Sequence, residues 1–174
     1  MPRTPPHALA VTRRVLGAII ALNLLMGFLI LALLIASLVA EGPVMRALGV
    51  RPIDGSASLI FGMRLIMVLG IGAVPLTHFV LTRLLAIVET VSLSDPFVAE
   101  NAARLQRIAW SVLGLELIHL AVGAVAAGAS SEAQPLDVEW SFSLTRWLAV
   151  LLLFVLARVF EQGARMREDL EGTV

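Results

Sequence analysis

The sequence contains no cysteine and no lysine. Without cysteine there is no disulfide framework, thiolate metal site, thiol nucleophile or dithiol exchange. Without lysine, Schiff-base and lysine-base chemistry are excluded, and all thirteen basic residues are arginine. Charge of either sign is scarce: 15% of residues are charged against 59% hydrophobic, with a mean hydropathy of +0.92. A soluble domain averages roughly 45–50% apolar and about 25% charged, so this chain has too little polar surface to cover itself in water. Its formal net charge of zero gives no reason to expect direct nucleic-acid binding or an acidic substrate. Hydrolytic signatures are missing too. There is no Gly-x-Ser-x-Gly, no His-Glu-x-x-His and no aspartate pair at catalytic spacing. The expectation is a non-enzymatic protein with no cofactor.

What the chain has is long apolar runs. Residues 15–40 carry no charge at all. A hydrocarbon core about 30 Å thick needs ~20 helical residues, so this run spans with some tilt. Arg13-Arg14 before it resembles a twin-arginine export signal, but the apolar run exceeds the roughly 7–15 residues of a signal peptide. A second span is expected over 65–91 and a third over 108–129. A fourth, over 142–160, is bracketed by Arg146 and Arg158, whose guanidinium groups would snorkel to the headgroups. The expected fold is therefore all-α and integral to the membrane: one domain over 1–174, with four helices in an antiparallel bundle.

Arginine sidedness sets the orientation. Arg3, Arg13, Arg14, Arg83, Arg104, Arg107, Arg158, Arg165 and Arg167 fall on one side, nine in all, against Arg46, Arg51, Arg64 and Arg146 on the other. The positive-inside rule puts the nine, and with them both ends of the chain, in the cytoplasm of a bacterial inner membrane. Trp110, Trp140 and Trp147 lie at span ends, where aromatic belts form.

On the outer side, Leu136 to Leu144 alternates apolar and polar residues, a period of two that predicts a strand. With the turn signal of Pro52 and Asp54-Gly55 it would make a small β cap. On the cytoplasmic side, Ser94-Asp95-Pro96-Phe97 reads as a helix start with Asp95 as cap. The helix over 96–107 should run unbroken into span three. Phe97, Val98, Leu105 and Ile108 share one arc with Asn101 in its middle, and Glu100 pairs with Arg104 at i,i+4. The tail forms a second amphipathic helix over 159–171, with Val159, Gly163, Met166 and Leu170 on one stripe. Its charges nearly cancel, whereas a lipid-surface helix is basic. The two stripes therefore pack on each other or on a protein partner.

Titratable groups at membrane depth are rare and default to functional hypotheses. His78 in span two and the Glu116-x-x-His119 pair in span three qualify. The pair is half of a di-iron carboxylate constellation whose other half the chain lacks. Three readings stand: a hydrogen-bonded structural pair, a metal or haem site using Glu116, His119 and His78, and proton handling. Asn23 in span one is a further polar group able to bridge helices.

Asp95-Pro96-Phe97, then Asn101, Arg104-Leu105 and Arg107-Ile108, together with the tail from Val159 to Val174, resemble a bacterial membrane family catalogued as domain-of-unknown-function family 2975. The resemblance covers nearly the whole chain and implies a four-span inner-membrane protein. Members of that family are encoded beside small Cro/C1-type helix-turn-helix regulators, so it further implies a protein that restrains or senses on behalf of such a regulator. It supplies no activity, substrate or catalytic residue. The leading expectation is a regulator or sensor whose cytoplasmic face binds a protein partner through Phe97, Asn101, Arg104, Leu105, Arg107, Arg165, Met166, Asp169 and Leu170. A small transporter, channel or proton-linked carrier, acting as a homo-oligomer, is one alternative. A haem or metal-binding electron-transfer protein is the other.

Overall fold

The computed structural model describes residues 6–51, 56–93, 98–132, 134–136 and 143–171. Five helices follow in order: α1 (Pro6–Val39), α2 (Glu41–Ala47), α3 (Ser56–Leu93), α4 (Ala99–Ala129) and α5 (Leu144–Glu171). Among the described residues there is no strand, only an isolated bridge between Ser131 and Gln134. The alternating stretch expected to form a β cap falls mostly on 137–142, outside the described residues, as do Pro52, Asp54, Gly55 and Trp140.

Three helices are long and apolar enough to cross a membrane: α1 over Val11–Val39, α3 over Ser56–Thr90 and α4 over Ala99–Ala129. That is the mark of a multi-pass membrane protein. α1 turns most of its large apolar side chains outward, Phe28 at 67% and Leu38 at 62% exposure among them, and buries only a narrow stripe that includes Leu16, Gly27 and Ser37. In water such a surface would far exceed the few hundred Å² a monomer tolerates; in lipid it is the solvated state. α3, at 38 residues, is about 57 Å long, more than the hydrocarbon core needs. It runs through Pro75, whose missing amide hydrogen costs the helix one backbone bond.

The chain divides into two compact units, one of Met1–Asn23, Leu76–Gly114 and Ser143–Val174, the other of Leu24–Pro75 and Leu115–Phe142. In the second unit, the carbonyls at the end of α1 need partners. Ala40 N–H donates to the Ala36 carbonyl, and Arg64 of α3 donates to the Ser37 carbonyl. The same guanidinium reaches the Ser37 hydroxyl and, at 2.8 Å, Glu41. A cation there also complements the negative end of the α1 dipole. Ser37 is fully buried in consequence.

Helix α2 is an element that hydropathy patterning does not reveal. Pro43 fits its first turn, where no intrahelical N–H is required. Its end is a Schellman motif: Val50 N–H donates to the Met45 carbonyl, and Gly49 N–H to the Arg46 carbonyl. Gly49 has φ +83°, the left-handed conformation that favours glycine. Met45 and Val50, brought together by this turn, form a small core with Leu59, against which Ile60, Met63 and Leu136 pack. The side chain of Gln134 then pairs with the backbone of Arg51, accepting from its N–H at 2.9 Å and donating to its carbonyl at 3.0 Å. The two loops of this unit do meet, but through a short helix and one glutamine amide.

Elsewhere in this unit α3 and α4 cross closely. A Cβ added to Gly62 would overlap the Cβ of Ala129.

Candidate functional site

The first unit holds both amphipathic segments. α4 begins at Ala99, three residues later than the sequence suggests; Asp95, Pro96 and Phe97 lie outside the described residues. Val98 supplies the carbonyl that accepts from Asn101 and Ala102. From there α4 continues without a break into the apolar segment, as expected, and α5 likewise joins its apolar part to the tail in one helix.

The arc centred on Asn101 faces inward. Asn101 is 0% exposed, and Leu105 and Ile108 are buried beside it. Arg104 folds over this arc, donating to Asn101 Oδ1 at 2.9 Å and to Thr90 Oγ1 of α3 at 2.7 Å. Its other terminal nitrogen meets Glu100 at 3.3 Å, the predicted i,i+4 pair. Thr90 in turn donates to the Ala86 carbonyl. Asn101, Leu105 and Arg104, expected on a partner-binding face, are therefore committed to the interior, because a buried amide and a guanidinium are stable there only when they bind each other. Arg13 of α1 adds an exposed ion pair with Glu89 at 3.6 Å.

The tail is also reassigned. Val159 and Met166, expected to pack on the other stripe or on a partner, are 51% and 63% exposed, so they do not pack on the other stripe. The buried positions of α5 are Val150, Ala157 and Ala164, spaced by seven, and those of α4 include Ala102 and Ala109 with the same spacing. A seven-residue repeat keeps one seam on the partner helix, and alanine there lets backbones approach. The hydropathy stripe pointed to the larger side chains and missed this seam. The alanine spacing of seven was the available signal.

Small residues along the seam leave a groove of about 450 Å³. It is lined by Ala99, Ala102, Ala103, Ala157 and Ala164 together with Gln106, Phe154, Arg158, Glu161 and Arg165. Trp110 closes on Phe154 edge to face, with ring centroids 5.2 Å apart. Glu161 bridges the rim, accepting from Arg158 at 2.8 Å and from Arg165. The Arg158 hydrogen bond, with the charges of both arginines, holds the Glu161 carboxyl below its ordinary range, against a smaller opposing effect of desolvation. Because the folded pKa is depressed, this contribution is present above the ordinary carboxyl pKa and lost as pH falls through the lowered value. Of the expected partner-facing residues, Arg107, Arg165, Met166 and Asp169 are exposed, whereas the side chain of Leu170 is not described.

The membrane-depth residues are less organised. His78 belongs to the first unit, Glu116 and His119 to the second. His78 Nδ1 and His119 Nε2 are buried without a hydrogen-bond partner, so no Glu116–His119 pair forms through that nitrogen. Among the described residues no group of three or more His, Asp or Glu side chains is placed to hold a metal ion.

The model of the family described as "Protein of unknown function (DUF2975)" matches residues 41–174. The chain belongs to this family. No curated protein and no solved structure matches it. The family match begins at α2, so it takes in the α2 turn, the Asn101–Arg104–Thr90 network and every residue of the groove, and leaves out α1.

Proposed function

We propose that this member of the DUF2975 family is a four-span bacterial inner-membrane protein with both ends in the cytoplasm, and that it acts as a non-enzymatic regulator or sensor. In this reading the α4–α5 groove receives a cytoplasmic protein, such as a small helix-turn-helix regulator. The observation that carries it is the groove itself: lined by five alanines and by polar and charged side chains, on helices anchored by a buried polar network. Small methyl side chains leave room for the side chains of a partner helix. The fourth span is supported by α5, whose Leu148, Leu151, Leu152, Val155 and Leu156 are exposed between Arg146 and Arg158. Those arginines, one at each end, match guanidinium groups snorkelling to opposite interfaces.

Topology can be tested directly, because the chain has no native cysteine. Single cysteines at Arg14, Leu48 and Met166 are expected to label from the cytoplasm, the outer face and the cytoplasm respectively. Labelling of Leu48 and Met166 from the same side would overturn the four-span reading.

The partner test is a titration. The full chain in detergent is mixed with a purified small helix-turn-helix regulator from the same organism. Ala103→Trp fills the groove from an exposed position and is expected to weaken binding at least tenfold, with thermal stability unchanged. Equal binding to wild type and variant would remove the groove from the interaction.

A second reading is a small transporter, channel or proton-linked carrier using Glu116, His119 and His78. It is favoured by the two buried, unpartnered imidazole nitrogens, since a buried polar atom without a partner is costly and proton handling is one role that retains it.

A further inference from the structure

Arg46 and Arg51 stand on the side of the chain with few arginines, and neither forms an ion pair among the described residues. Both border a cavity of about 380 Å³ between α2 and the start of α3. Its apolar wall is Met45, Val50 and Ile60, and its one acid, Glu41, is already bound to Arg64. The two arginines are held from behind. Arg46 Nε donates to the Gly42 carbonyl at 3.2 Å, which leaves its terminal nitrogens for a ligand. Arg51 is fixed through its backbone N–H and carbonyl by the buried Gln134 amide.

Depth says what such a cavity meets. Arg64 caps α1 where its apolar run ends, so it marks the edge of the hydrocarbon. Ile60 and Ser56, which also line the cavity, lie four and eight residues further out along α3, about 6 and 12 Å. The headgroup layer is only several ångströms thick on each side of the hydrocarbon core. The Ile60 end of the cavity thus lies within the headgroup layer and the Ser56 end at its outer edge, and Arg46 and Arg51 line the cavity together with the apolar side chains.

We propose that this cavity is a binding site for one anionic phospholipid, Arg46 and Arg51 holding its phosphodiester and Met45, Val50 and Ile60 its glycerol–acyl junction. Guanidinium matches phosphate oxygens bidentately, and a basic pocket at the headgroup level is where a lipid phosphate is captured. The inference rests on the membrane-spanning reading and is independent of the cytoplasmic groove.

The test uses the purified full chain in detergent, titrated with phosphatidylglycerol, with diacylglycerol of the same acyl chains, and with inorganic phosphate, read by native mass spectrometry. Phosphatidylglycerol is expected to bind saturably, one per chain, and at least tenfold more tightly than either other probe. The double variant Arg46→Gln/Arg51→Gln is expected to lose roughly ten- to thirtyfold in affinity. Arg46→Lys/Arg51→Lys, which keeps the charge but not the bidentate fork, is expected to fall between the glutamine variant and wild type, and Arg14→Gln, which removes a charge elsewhere, stays at wild type. Diacylglycerol binding as tightly as phosphatidylglycerol overturns the proposal, because the phosphate then contributes nothing. Inorganic phosphate binding as tightly as the lipid overturns the lipid assignment. Should the glutamine variant fail to fold, by loss of far-ultraviolet helicity, the three-probe comparison on wild type decides alone. Failure here leaves the cysteine-labelling result untouched, so the site and the span count are separately falsifiable.

Discussion

Replacing Arg104 by leucine is expected to destabilise the folded chain by roughly 2–4 kcal/mol. Its guanidinium is the shared donor for a fully buried amide on its own helix and a threonine hydroxyl on α3. Hydrogen bonds to a charged donor are worth about 1.5–3 kcal/mol each, and a desolvated acceptor that loses one is not compensated by water. One terminal nitrogen of Arg104 serves both Asn101 and Thr90 and the other serves Glu100; Arg104→Lys keeps the charge but has a single nitrogen for all three, so about half of the loss is expected. Both are read as thermal unfolding in detergent. For a chain of this size, ~2–4 °C of midpoint accompanies each kcal/mol, so the leucine variant should fall by roughly 5–15 °C. A shift below about 1 °C would mean that the network does not join α3 to α4. Under the function proposed above, the same variant should also weaken partner binding, since α4 is one wall of the groove.

The second large effect is expected at the α3–α4 crossing. Gly62→Val places a branched side chain where even one methyl meets the Cβ of Ala129. Neither Cβ can move without its backbone, so overpacking should cost about 3 kcal/mol. The diagnostic is rescue. Combined with Ala129→Gly, the milder Gly62→Ala should recover most of its own loss, because the two positions share one volume. Gly72→Ala is the contrast: nothing lies within 4 Å of the added atom, so the higher helix propensity of alanine leaves stability equal or better. Similar losses at 62 and 72 would show that helix flexibility, not close approach, sets the cost.

The residues differ in how far their roles were legible. Glu100–Arg104 could be read from spacing alone, because an i,i+4 pair lies within one helix and needs no tertiary information. The joining of each amphipathic segment to its apolar segment in one helix was equally readable. The direction of those amphipathic faces was not. Asn101 and Arg104 look like a polar surface in sequence, and only the placement of Thr90 opposite them makes burial the stable choice. Met166 and Val159 look like a packing stripe, but alanines on the neighbouring arc allow closer backbone approach, and they take the seam instead. Helix α2 was concealed by Gly42 and Pro43, although Leu48-Gly49-Val50 after a short helical stretch carries the signature of a left-handed C-terminal stop.

By itself, the sequence determined the solvent of this protein and the chemistry closed to it. Long uncharged runs have no stable home in water, and a chain without cysteine or lysine cannot do thiol or Schiff-base chemistry whatever its fold. Arginine counts likewise supply the orientation that the function proposal uses, because sidedness is a sum over loops and not a contact. Tertiary structure alone decided which polar side chains are interior and which are available. That choice depends on partners tens of residues away: Thr90 for Arg104, Ser37 for Arg64, Gln134 for Arg51. No periodicity along one helix encodes them, and these pairings settle which side chains remain to line the alanine groove and the cavity beside Arg46 and Arg51.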